Sequence, residues 1–230
     1  MKTRTIIFAL LFSGCTFTYC IGQAQKADGK AESGKHVASE SSTEYEKNIL
    51  KELRLDLLQN LRDINSNIKL LETCEKANRI VINHIENALP YSDSLDYHFA
   101  NLYPYLVFSP NQTTFNFLTQ KGMSLISNDS IRAAVSDLYG VQFGMYKSYE
   151  SIYFVEHYTN YIKPMFIAEF ETFKFYRSFK PGRFDEFVKN QKYKRIMSYT
   201  ADASQTFRFL QSNLKNDVEK LLKQIEKELE

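Results

Sequence analysis

Tryptophan is absent from this sequence, and 230 residues contain only three cysteines, five prolines and eight glycines. No glycine or proline occurs between Glu44 and Leu89, so nothing there would break a helix. An excess of one charge is also missing. Without residues 1–24 the chain loses Lys2 and Arg4 and no acid, leaving 27 basic against 27 acidic residues. Such a balance argues against nucleic-acid binding, which needs a basic footprint. The histidines, His36, His84, His98 and His157, never lie three or four residues apart. There is no His-Glu-x-x-His, paired cysteine, phosphate-cradling glycine loop or Gly-x-Ser-x-Gly turn. No catalytic, cofactor-binding or metal residue is therefore assigned, no cofactor is implied, and no enzyme activity is expected. His157 follows Glu156, but adjacent residues on a helix point in different directions. That favours a helix-surface or satisfied core histidine over an acid–base or metal pair.

What is present starts with a charged, then apolar, N-terminus. Lys2 and Arg4 precede Ile6-Ile7-Phe8-Ala9-Leu10-Leu11-Phe12, and Gly22-Gln23-Ala24 offers a small-x-small exit. This is the pattern of a secretory signal. Cleavage after Ala24 fits best and leaves Cys74 alone, so no intrachain disulfide can form. An uncleaved weak anchor, or lipidation at Cys15, are the other two routes. All three put the remainder outside the cytoplasm, in the periplasm or cell envelope, with inner-membrane association if the segment is kept. Residues 25–43, rich in Lys, Glu, Ser, Gly and Ala, read as a flexible tether.

Residues 44–230 read as a single all-α domain. Thr43-Glu44-Tyr45-Glu46 has capping-box form. Leu50, Leu53, Leu57, Leu61, Ile64, Ile68, Leu71, Cys74, Ala77, Val81, Ile85 and Ala88 then recur at three- and four-residue steps, which predicts a helix over about 44–89. Ile196, Tyr199, Ala203, Phe207, Leu210, Leu214, Val218, Leu221 and Ile225 predict another over about 193–229. The two stripes are expected to bury each other as an antiparallel, coiled-coil-like pair in an elongated helical bundle, or to face a second copy. Between them lie shorter, aromatic-rich helices. Leu138, Val141, Met145, Ile152, Val155 and Ile162 keep heptad-like steps, and Phe166, Phe170, Phe173 and Phe175 follow Pro164. Helical spacing favours an aromatic core over a ligand cage. Further turns are legible from capping chemistry. Pro110 suits a first helical position, with Asn111 or Ser109 as cap, Gly122 suits a helix end, and Ser127 or Asn128 caps the next helix.

The turn Phe108-Ser-Pro-Asn-Gln-Thr-Thr-Phe115, the helix start Leu125-Ile-Ser-Asn-Asp-Ser-Ile-Arg132 and the pair Leu138-Tyr139 carry a resemblance. Over roughly residues 44–164 the chain resembles a family of bacterial envelope proteins of unknown function, common in the Bacteroidota, with an N-terminal membrane helix before a long charged helix. The chain departs from that pattern in having no Trp and in carrying the 25–43 stretch. The resemblance implies fold and location, and brings no catalytic residues.

Charge is segregated along the chain. From His84 to Glu171 there are four basic and nine acidic residues; from Thr172 to Arg195 there are eight basic and two acidic. Lys174, Arg177, Lys180, Arg183, Lys189, Lys192, Lys194 and Arg195 form a candidate surface for anionic headgroups or an acidic partner, unless they fold against the acidic middle or are simply solvated. Two functions are expected from different classes. One is a non-enzymatic interaction or scaffold module with a protein partner or with itself. The other is a small-ligand or sensory domain with a pocket among Tyr146, Tyr149, Tyr153, Phe170 and Phe173.

Overall fold

A computed structural model describes residues 31–106 and 108–230, with side chains from residue 42 onward. The chain divides into two units, Met1–Ser39 and Glu40–Glu230. Of the first, only the start of α1 is described. The export segment and Cys15 lie outside the described residues. No described helix is long and apolar enough to cross a membrane.

The fold is all-α, 78% helix and 5% strand. Helix α1 spans Ala31–Glu86 and α8 spans Gln191–Leu229. Ion pairs between them fix their direction: Arg54–Glu226, Arg208–Glu75, Arg79–Asp202 and Lys194–Glu86, at 3.0, 3.2, 3.4 and 2.6 Å. As the α1 number rises from 54 to 86 its partner falls from 226 to 194, which is antiparallel pairing without a slip. Beneath these pairs, Leu50, Leu53, Leu57, Ile64, Leu71 and Val81 of α1 are at most 1% exposed, as are Phe207, Val218 and Ile225 of α8. Each buried aliphatic or aromatic side chain contributes about 1.5–3 kcal/mol of transfer free energy. Cys74 sits in this layer as a small buried residue, its Sγ 3.3 Å from the Ser204 hydroxyl and its pKa pushed by burial up to about 12.

The capping box at Thr43–Glu46 does not start the helix, because backbone from Ala31 is already helical, including residues 31–43 of the expected tether. Ala, Glu and Lys there are good helix formers. Glu46 is used elsewhere: its carboxylate accepts from the Ser127 N–H (2.7 Å) and hydroxyl (2.9 Å). At the other end, Ala88 leaves the stripe with φ 48° and is exposed, before Pro90.

Short helices α2 (Leu95–Ala100) and α3 (Thr113–Lys121) follow. Pro110 lies outside α3, whose N-terminus is closed by a residue of α1. Asp56 accepts from the Thr114 N–H (2.8 Å) and from the Asn111 amide (2.6 Å), while Asn60 accepts from the Asn111 N–H (2.6 Å). Asn111 adds a local bond from the Thr113 N–H at 3.2 Å. Gly122 ends α3 at φ 116°, a conformation a side chain would strain. Asn128 caps α4 (Asp129–Asp137), accepting from the N–H groups of Ser130 and Ile131.

Helices α4, α5 (Phe143–Glu150) and α6 (Lys163–Glu169) run on without a break, joined by π-helical turns at Leu138–Gln142, Ser151–Val155 and Tyr158–Ile162. A π turn inserts a residue and rotates the side chains that follow. The buried positions here include Val135, Tyr139, Phe143, Tyr146, Glu150, Phe154, His157, Ile162 and Phe166. Their steps of mostly four residues exceed the α-helical 3.6, and the π turns absorb the difference. Of the heptad-like stripe expected here, only Leu138 and Ile162 are buried. Val141, Met145, Ile152 and Val155 face solvent.

The stretch after α6 is not helical. β1 (Phe170–Lys174) and β2 (Ser178–Pro181) form an antiparallel hairpin with Phe173 opposite Phe179 and an irregularity between Phe170 and Thr172. Aromatic and Thr residues favour strands, and Phe166, Phe170 and Phe173 only mimic helical spacing. Gly182 closes the hairpin where a Cβ would stand 2.8 Å from the Glu171 carboxylate. Phe170 packs edge-to-face on Phe99 and Phe166, with Phe179 and Phe187 completing the cluster. A one-turn helix, α7 (Phe184–Phe187), leads into α8.

Candidate functional site

The π-helical part of the α4–α6 helix lies along α8, and His157 sits between them. Its ring is 8% exposed. The Thr200 hydroxyl donates to the Ile196 carbonyl (2.8 Å), as a helix hydroxyl commonly does. That uses its only proton, so at 2.9 Å from His157 Nε2 the Thr200 oxygen accepts. Burial lowers the His157 pKa from 6.5 to about 4, so the ring is neutral near pH 7. Both Thr200 contacts are satisfied together only by the Nε2–H tautomer, which leaves Nδ1 as an acceptor with no protein donor among the described residues.

Tyr161 and Tyr199, one from each helix, pack on this ring with centroids 5.4 and 4.5 Å away. Both phenols are nearly half exposed and line a groove of about 580 Å³ that also takes in Ile152, Glu156, Asn160, Lys192 and Arg195. Tyr199 therefore leaves the α8 stripe in which its spacing placed it.

Of the eight cations in the 174–195 stretch, Lys194 is paired with Glu86 across the helices and Arg183 with Glu186 within a turn. Lys174 and Lys180 stand on the hairpin strands, Arg177 in its turn and Lys189 before α8, all exposed. Lys192 and Arg195 alone among the eight border the His157 groove, and neither makes an ion pair among the described residues.

The five aromatic residues named for a ligand pocket do not share one. Tyr146 packs on Phe108 and Phe207, Tyr149 on Tyr153, and Phe170 and Phe173 belong to the hairpin cluster. Tyr146 and Tyr149 border a groove of about 190 Å³ against Leu210 and Leu214, and Tyr149, Tyr153 and Phe173 are about 40% exposed. Among the other histidines, His84 Nε2 lies 2.5 Å from the Pro90 carbonyl, and the His36 side chain is outside the described residues. No group of three metal-ligating side chains occurs among the described residues.

A second feature is the outward face of the α4–α6 helix. Val141, Met145, Ile152 and Val155 are 51–55% exposed. Between Asp137 and Glu156 the only charged residues are Lys147 and Glu150, and Glu150 is buried, accepting from the Phe108 N–H at 3.3 Å with its carboxyl pKa raised by burial. Gly140 and Gly144, one residue before Val141 and Met145 respectively and so at the edge of that strip, are exposed with nothing within 4 Å of where a Cβ would be. Their four-residue spacing, with Ser148 next, was visible in the sequence as a signal of this face. No protein-family model matches the chain, and no curated protein or solved structure matches it.

Proposed function

We propose that the chain is a non-enzymatic, exported interaction module that buries the outward face of the α4–α6 helix against an apolar helix of a partner, in the simplest case a second copy. Export rests on the charged and apolar N-terminal pattern, and membership of the envelope-protein family on the motifs at Phe108–Phe115 and Leu125–Arg132. The observation that carries the interaction is Val141, Met145, Ile152 and Val155, each more than half exposed on one helix face. Contiguous apolar surface rimmed by polar groups is characteristic of interaction sites. Two glycines whose missing side chains no neighbour requires allow a second helix to approach closely. Each costs about 1 kcal/mol against alanine in an exposed helix interior, a cost the isolated fold gains nothing from.

The test is site-specific photo-crosslinking in the cell that makes the protein, with the crosslinker at position 145 or 152. A discrete adduct of defined mass is expected from both positions, and none from exposed Lys220 on α8. Bare monomer from 145 and 152 would overturn the reading.

A further inference from the structure

We infer that the His157 groove binds a small amphipathic anion, with a ring or other apolar body against Tyr161 and Tyr199 and its anionic group facing Lys192 and Arg195. The inference stands apart from the partner face, although Ile152 borders both. Four observations converge on it. The groove, about 580 Å³, is of the size that holds small molecules. Its apolar surface comes from Ile152, Ile196 and two phenol rings that are nearly half exposed, both packed on the buried His157 ring. Rigid aromatic surface offers contact area at little cost in conformational freedom.

The charge balance favours an anion. Lys192 and Arg195 face one carboxylate, Glu156, and with a neutral imidazole the lining has an excess of one positive charge. Lys194 and Arg183 have their charges neutralised within the fold, whereas these two cations make no ion pair among the described residues. Arg195 also brings a planar fork suited to a carboxylate or phosphate. The fourth observation is the polarity of His157. With the Thr200 hydroxyl donating to the Ile196 carbonyl, the tautomer that also satisfies the Thr200 contact carries its proton on Nε2 and leaves Nδ1 to accept. A ligand carrying a hydroxyl or N–H beside its ring would satisfy it, which narrows the class to hydroxylated or amino-substituted aromatic anions.

The experiment follows the imidazole resonances of His157 by NMR in the whole chain, assigned by their loss in His157→Gln. Four probes separate the contributions: 4-hydroxyphenylacetate, phenylacetate without the donor, acetate without the ring, and 4-hydroxybenzyl alcohol without the charge. Saturable shifts are expected from 4-hydroxyphenylacetate at sub-millimolar concentration, with phenylacetate weaker. Acetate and the alcohol should be weaker by about ten-fold or more, since a lost charged or stacked contact is worth about 1.4 kcal/mol or above. The double variant K192Q/R195Q should lose about ten-fold in affinity for the acid and keep its weak affinity for the alcohol. The inference is overturned if no probe saturates by roughly 10 mM, if acetate alone binds as well as the aromatic acids, or if the double variant binds the acid unchanged. Crosslinking from positions 145 and 152 in that same variant should be unaltered. Failure of the groove and failure of the partner face are therefore told apart.

Discussion

Along α1 the buried side chains include Leu50, Leu53, Leu57, Ile64 and Leu71, with Asp56, Asn60, Asn67 and Asn78 beside them, while along α4–α6 they include Ile131, Val135, Leu138, Tyr139, Phe143, Tyr146, Glu150, Phe154, His157, Ile162, Met165 and Phe166. The apolar members of the first set are aliphatic and fall on α-helical steps of three and four, or seven. The second mixes rings with aliphatic side chains, a carboxylate and a histidine, on a helix interrupted by three π turns. Straight aliphatic stripes zip two helices over many turns. The π-turned helix instead presents rings inward, a histidine at its edge and an apolar strip outward. Features that stability alone does not require collect on that helix, which is where π turns commonly mark function.

The largest test of this contrast is its phase. Phe143→Ala should cost about 3–5 kcal/mol and Leu57→Ala about 2–5, since both are fully buried. Met145→Ala, two residues from Phe143 but half exposed, should cost no more than about 0.5 kcal/mol. Urea unfolding of the three variants measures this. A Met145 loss comparable with that of Phe143 would mean the heptad-like stripe, not the aromatic one, faces the core.

That contrast also explains what could be read from the sequence. α1 and α8 were legible because Leu and Ile repeat with one period and no breaker intervenes. The Asn128 cap was legible because cap and capped N–H groups are two and three residues apart. The α3 cap was only half legible, because Asp56 reaches it from another helix. Along α4–α6 the apolar residues Val141, Met145, Ile152 and Val155 fit a heptad better than the true inner set does, so periodicity selected the wrong face. The hairpin was hidden the same way, Phe166, Phe170 and Phe173 falling on helical steps. Of the candidate site, the basic cluster was visible as charge, but its two groove members were not separable from the rest. The reading of His157 as a satisfied core histidine agrees with its burial and its bond to Thr200, but the groove beside it was not legible because Thr200 and Tyr199 lie more than forty residues away.

A smaller effect concerns protons. His157 is held neutral in the fold, with its pKa lowered by burial to about 4 from 6.5. Its contribution to stability is complete above about pH 6.5 and is lost as pH falls from there through 4, because the unfolded chain takes up the proton first. At its steepest the loss approaches about 1.4 kcal/mol per pH unit. Glu150 runs the other way: burial raises its pKa, so protonation at falling pH favours the fold. The groups facing His157, namely Glu156, Lys192 and Arg195, remain in His157→Gln, which also keeps a donor for Thr200. The stability difference between wild type and His157→Gln should thus shrink or reverse from pH 7 to pH 4, while Glu150→Gln should gain on wild type toward pH 7. Parallel pH profiles for wild type and His157→Gln would show that the ring is not buried neutral.

The smallest expected change separates stability from use. Gly140→Ala and Gly144→Ala place a methyl group where no atom lies within 4 Å, in backbone already helical. Each should stabilise the isolated chain by about 0.5–1 kcal/mol, mainly by restricting the unfolded state. Larger side chains at the same positions, Gly140→Leu and Gly144→Leu, should be tolerated by the fold for the same reason. They should nevertheless abolish crosslinking from position 145, since a helix seated over Gly140 and Gly144 needs their backbones uncovered. Thermal unfolding and adduct yield, read on the same variants, are therefore expected to move in opposite directions. If the leucine variants lose stability, the face is packed within the chain. If they crosslink as wild type does, the partner touches Met145 without using the glycines, and close helix–helix approach is not the mode of contact.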